Sequence, residues 1–188
     1  QFVTLMRDGQ QVKMSTRKAT FVTVDELMDM VGVDVTRFFF LMRKADSQLE
    51  FDLGLAMKEG QENPVFYVQY AHARLYSIAR QAEGKGIVAG TLADAPIDRL
   101  VLPEEIGLLK AMAAFPGLVE SAAIELAPHR LVFFLQDLAG QFHSYYNRHR
   151  VISEDEALTR ARLWLAVALR TVLANGLAMI GVSAPETM

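Results

Sequence analysis

Apolar and polar positions follow two different rhythms along the chain. At the start, Phe2–Met6 and Val12–Met14 are strand-like runs that flank Arg7-Asp8-Gly9, and an Asp-Gly pair favours a tight hairpin turn. Ser15–Ala19 is polar and basic and reads as a loop. Thr23 and Glu26 have the hydroxyl-to-carboxylate spacing of a capping box, which predicts a helix from about Val24 that Gly32 closes. Asp34 is placed to cap a second helix, roughly Val35–Arg43. Asp46–Asp52 reads as a polar interruption before a short helix that ends around Gly60.

From there the rhythm is helical. Asn63-Pro64 supplies a cap residue and a proline at the first helical position, and Val68, Ala71, Leu75 and Ile78 then recur at three- and four-residue intervals up to Gly84-Lys85-Gly86. A helix from about Pro103 is expected to end before Pro116, and a second occupies the stretch to Leu126. A third starts at Pro128 and carries Leu131, Leu135, Leu138 and Phe142 along one side. Ser153 and Glu156 form another capping-box pair ahead of a long helix that reaches Leu173, with Asn175-Gly176 as its stop. A short piece, Leu177–Ile180, precedes the tail Gly181–Met188. The predicted fold class is mainly α: a small α/β stub over residues 1–62, then an all-helical bundle over residues 63–188.

Composition narrows the function classes. The 188 residues are 52% apolar and 22% charged, enough to bury a substantial core. A net charge of −3 excludes a generally basic nucleic-acid coat, so any RNA contact must use a local patch. Cysteine is absent, which removes disulfides, thiolate metal sites and cysteine nucleophiles and fits a reducing, cytoplasmic setting. No apolar run approaches the roughly 18–20 residues of a membrane span, since stretches such as Leu163–Leu169 are short and meet Arg170. The chain begins at Gln1 in a strand-like pattern with no signal peptide, so an upstream portion is expected.

Three places carry candidate chemistry. Lys13-Met14-Ser15-Thr16-Arg17-Lys18 puts three cations in six residues between a strand and a capped helix. Such a loop can neutralise phosphate as charge builds on a leaving group, although a short basic loop on its own is ordinarily solvated surface. Tyr67, Tyr70, Arg74 and Ser77 share a helical face distinct from the Val68/Leu75 side. Phe142 to Arg150 brings two tyrosines, two histidines, Asn147, Arg148 and Arg150 to a helix end. Unpaired RNA bases are read by stacking on such rings and guanidinium planes. Core packing competes for Phe142 and one tyrosine of Tyr145-Tyr146, packing against the stub for Tyr67 and Tyr70, and solvated surface for Asn147, Arg148 and Arg150. Trp164 reads as core. The Ser153-Glu154-Asp155-Glu156 run reads as a helix N-terminus rather than a metal site, and Asp46, Glu50 and Asp52 lack calcium-loop spacing, so no protein metal site is expected.

The order of these residues resembles the arginyl-tRNA synthetase family. Lys13-Met14-Ser15 with its basic followers is similar to the KMSKS loop of class I aminoacyl-tRNA synthetases, with Thr16 where the family has a second lysine. The resemblance continues through Phe21–Leu27, Val31–Asp34, Arg37–Arg43, Asp46–Asp52, Asn63–Arg74 and the ending Asn175-Gly176-Leu177 with Gly181–Glu186 and Met188. It implies that residues 1–62 are the end of a class I catalytic domain and residues 63–188 a DALR anticodon-binding domain. It also implies ATP, with Mg2+, at Lys13–Lys18, with Lys13 and Ser15 in the catalytic role. Tyr70, Arg74, Phe142, Tyr146, Asn147, Arg148, Arg150 and Met188 become the expected contacts to tRNA(Arg), and the protein a cytoplasmic monomer. None of the four histidines is followed by Gly-His, so the HIGH-type motif is missing and this chain alone is expected not to activate arginine. Two alternatives stay open: another class I synthetase such as the cysteinyl enzyme, or a helical protein-interaction module without an RNA role.

Overall fold

The capping box at Thr23 forms as its spacing predicts. Thr23 Oγ accepts from Glu26 N at 3.1 Å, Thr23 N donates to the Glu26 carboxylate at 2.7 Å, and α1 runs Val24–Val31. The computed structural model describes residues 2–7, 9–12 and 22–188. The KMSKS-like loop, Lys13–Lys18, lies outside the described residues.

β1 (Val3–Arg7) and β2 (Gln10–Gln11) pair antiparallel, so the strand answering β1 lies ahead of the expected Val12–Met14, of which Lys13 and Met14 lie outside the described residues. A third strand, β3 (Leu49–Asp52), pairs parallel to the other edge of β1, with Leu5 opposite Phe51. This corrects the reading of 46–52 as a polar interruption. Leu49 and Phe51 are buried while Glu50 and Asp52 face out, a two-residue period that the charges disguise. α2 spans Val33–Leu41 and starts two residues earlier than Asp34 capping requires, because Gly32 (φ +85°) occupies the cap position. The expected short helix is a single turn, α3 (Leu53–Ala56), capped by Asp52, whose carboxylate accepts from Leu55 N at 3.0 Å.

α4 (Pro64–Gly84) starts where Asn63-Pro64 says it should. The buried Asn63 accepts from Val65 N and donates to the carbonyls of Ala56 and Lys58, fastening the preceding turn to the helix. Gly86 (φ +73°) ends it, with Ile87 N donating to Ala82 O. A connector with a 3-10 turn at Ile97–Arg99 leads to α5 (Pro103–Ile124), α6 (His129–Arg148) and α7 (Glu156–Met179). Trp164, expected in the core, is instead half-buried against that connector and donates Nε1–H to Ala89 O at 3.1 Å.

Two predicted breaks are helical. α5 continues through Pro116, whose ring is exposed while Phe115 stacks on Phe134 at 5.2 Å. An internal proline costs about 3 kcal/mol of helix propensity, and packing on both sides of it offsets that. α7 continues through Asn175-Gly176 because a Cβ at 176 would lie 2.6 Å from Leu135 Cδ2, so the glycine there serves helix contact rather than termination. The stop falls at Gly181 (φ +68°), with Val182 N donating to Leu177 O. The N-terminal cap of α7 is Asp155 rather than Ser153: its carboxylate accepts from Leu158 N at 3.0 Å, and Ser153 Oγ donates to Asp155 O.

α5 and α7 are, by length and composition, long and apolar enough to cross a bilayer, which the uninterrupted helices reveal and the sequence reading missed. α7 packs against α4, α5 and α6, with Leu163, Leu165, Leu169, Leu173 and Leu177 buried among them. At the centre of the bundle, Glu105 (0% exposed) accepts from Arg162 Nε at 2.8 Å, from Tyr145 OH at 3.0 Å and, on its other oxygen, from Leu102 N at 3.1 Å. A buried carboxylate with that many donors is compensated for its lost water. Burial and the adjoining Glu105 keep the Tyr145 phenol protonated, with its pKa pushed well up.

Candidate nucleic-acid interface

The 3.6-residue period of α4 puts Tyr70, Arg74, Ser77 and Gln81 on one outer stripe, opposite the buried Val68, Ala71, Leu75 and Ile78. The last turns of α6 face this stripe. The Arg74 guanidinium carbon lies 4.7 Å from the Tyr70 ring centroid and 5.0 Å from that of Tyr146, and the same group donates to the Tyr70 hydroxyl. His143 extends the ladder: its ring is 5.7 Å from Tyr70, stacked, and 4.5 Å from Tyr67. Burial holds the His143 pKa below the ordinary imidazole value. Tyr67 O, 3.2 Å from Nε2, pulls it back up, and the Arg74 charge pushes it down. A neutral imidazole therefore sits behind the guanidinium and leaves Arg74 as the local cation.

Two pockets open beside Tyr146. One, about 330 Å³, lies among Tyr70, Arg74, Ser77, Arg80 and the segment Thr187–Met188. The other, about 400 Å³, lies among Gln81, Lys85, Asn147, Arg150 and Ile152. Tyr146 lines both, half-buried, with one ring shared between two concavities. Arg74, Arg80, Lys85 and Arg150 stand around them, a positive patch on a chain whose net charge is −3. Below the second pocket Arg162 Nη1 donates to Arg150 O at 2.8 Å, so the buried Glu105 network also fixes the turn that carries Arg150. Aromatic faces, cations and concave polar space in one place suit stacked bases and phosphates.

The structure sorts the expected contacts. Tyr70, Arg74, Tyr146, Asn147, Arg150 and Met188 come together on this face. Phe142 does not: at 1% exposed it is core, because it continues the Leu131–Leu135–Leu138 stripe. Arg148 does not either, since it turns to α5, where Nη1 pairs with Glu104 at 3.1 Å and Nη2 donates to Ser144 Oγ. Tyr67 packs on His143 of α6 rather than on the stub. Arg80, Gln81, Lys85 and Thr187 were not foreseen. The stripe 70, 74, 77, 81 held a signal for Gln81, whereas Lys85 and Thr187 meet it only through the tertiary fold.

The fold and this face define a class. The family model of the DALR anticodon binding domain matches residues 68–188, and the chain belongs to that family. Over 188 residues it is 59% identical to the arginine–tRNA ligase of Desulfotalea psychrophila and 53% identical to that of Geobacter metallireducens. It spans 34% of the length of each of those relatives. The solved arginyl-tRNA synthetase of Thermus thermophilus is 29% identical and aligns with a TM-score of 0.74, covering 100% of this chain and 35% of that one.

Proposed function

We propose that this chain is the part of an arginine–tRNA ligase that grips the anticodon loop of tRNA(Arg), joined to the end of the catalytic domain near residues 62 and 63. The observation that carries this is Tyr146, a half-exposed ring between two pockets with the Arg74 guanidinium over it. In this reading Tyr146 stacks an unpaired base, Asn147 and Met188 bound the space on either side of it, and Arg74 and Arg150 neutralise phosphates. The positive patch supports RNA over a protein partner, and the arginine enzymes among the relatives support that amino acid over cysteine. The whole protein then joins arginine to tRNA(Arg) using ATP with Mg2+, as a monomer in the cytoplasm. Lys13–Lys18 is its ATP loop, with Lys13 and Ser15 acting at the phosphates.

Stacking is worth roughly 1–3 kcal/mol per base, so Tyr146→Ala is expected to weaken tRNA(Arg) binding by about tenfold or more in the full-length enzyme. An unchanged dissociation constant at fixed salt rejects Tyr146 as a stacking platform.

A further inference from the structure

The residues that follow α7 form neither helix nor strand, yet side chains from two helices hold them in one register. Ser183 N–H donates to Asp34 Oδ1 at 3.1 Å, and the Ser183 hydroxyl donates to the same carboxylate. Gln69 Nε2, on α4, donates to Asp34 Oδ2 at 2.9 Å and to Ser183 O at 3.0 Å. One turn along α4, His72 Nδ1 lies 2.8 Å from Pro185 O. A carbonyl only accepts, so that nitrogen carries the proton. Gln69 and His72 are 9% and 3% exposed, and burying such groups is unfavourable unless their bonds are made. These bonds go to the segment and to Asp34, which itself holds the segment. Ser183 makes the register specific, since a shift by one residue would put Val182 or Ala184, neither with a hydroxyl, at the Asp34 carboxylate. The anchored residues stop just short of Thr187 and Met188, which line the pocket with Tyr146.

We propose that Asp34, Gln69 and His72 form a latch whose purpose is to position Met188 in the wall of the Tyr146 pocket. They are positioning residues: they touch the segment and reach a bound nucleotide only through it. The consequence for RNA rests on the proposed function, whereas the latch rests on the geometry alone. Because Asp34 sits on α2 and Gln69 and His72 on α4, the latch also ties the segment across two elements that lie far apart in sequence.

The test uses this chain labelled with 13C at the methionine methyls, the Met188 signal being assigned against a chain ending at residue 187. An asparagine at 72 keeps an amide nitrogen at the reach of imidazole Nδ1, while a glutamine moves it one bond further out. His72→Asn is therefore expected to leave the Met188 methyl ordered. His72→Gln and Ser183→Ala, the latter at an exposed position that does not threaten folding, are expected to sharpen it and move it to the shift of a free methionine. An ordered Met188 methyl in both His72→Gln and Ser183→Ala overturns the latch. Titration with an anticodon stem-loop RNA is the second readout. His72→Gln should weaken binding about three- to tenfold, the ordering cost of one or two side chains, and should cost nothing further once residues 187 and 188 are deleted. A freed methyl with unchanged RNA affinity leaves the latch standing and counts against the RNA reading of the pocket instead.

Discussion

Tyr145 and Tyr146 are neighbours in sequence with opposite fates. The 100° step of the helix turns Tyr145 into the core, where its hydroxyl meets Glu105, and Tyr146 outward over Arg74. A second residue-scale feature is Leu126, at φ +52° and 86% exposed. It occupies the left-handed position that ends α5, with Ala127 N donating to Ala122 O, a place where glycine carries no Cβ penalty. A leucine there costs about 1–2 kcal/mol, and its exposed side chain returns little burial. Leu126→Gly is expected to raise stability by about 0.5–1 kcal/mol after the larger chain entropy of glycine is counted, measured by urea unfolding. A lower midpoint would mean that Leu126 has a packing role that its exposure hides.

At the scale of elements, the starts of α1, α4, α5 and α6 were legible and two stops were not. Thr23/Glu26 and Asn63-Pro64 act through bonds within a few residues of themselves, so a local rule finds them. Pro116 and Gly176 were read by the same local rules and misread, because the helices through them are held from outside. Gly176 lets α6 and α7 approach at Leu135. Gly176→Ala, which by propensity should strengthen α7, is therefore expected to destabilise the chain by about 1–3 kcal/mol through overpacking. A thermal midpoint equal to or above that of the parent would refute the close-contact reading. β3 was missed for a related reason: four residues are too few for their alternation to outweigh two acidic side chains.

For the whole molecule, charge buried on folding sets the response to acid and to mutation. Burial is the leading cause that holds both His72 and His143 below the ordinary imidazole value of 6.5. Their folded pKa values lie below those of the unfolded chain, which therefore binds more protons as pH falls through this range. Stability is full above the ordinary imidazole value and is lost as pH drops through and below it. Denaturant midpoints measured from about pH 7.5 down to about pH 5.5 should fall, and most of the fall should vanish in a His72→Asn, His143→Asn double variant. The Glu105–Arg162 pair belongs to this scale as well, since together with Tyr145 it joins α5, α6 and α7. Arg162→Met leaves a buried carboxylate without its cation, and a loss of about 3–5 kcal/mol in calorimetry is expected.

The sequence by itself determined the helical class, the places where α1, α4, α5 and α6 begin, and the aromatic and basic residue types that gather around Tyr146. It could do so because periodicity and caps are written within a turn or two of the residues concerned. Only the tertiary structure decided which of Tyr145 and Tyr146 is buried, that Arg148 leaves the face for Glu104, and that Met188 lines a pocket beside Tyr146. Those outcomes rest on contacts between separate elements, such as Arg148 on Glu104, Tyr145 on Glu105 and Arg74 over Tyr146. Such contacts are set by how the helices pack and leave no mark in any local window of the chain.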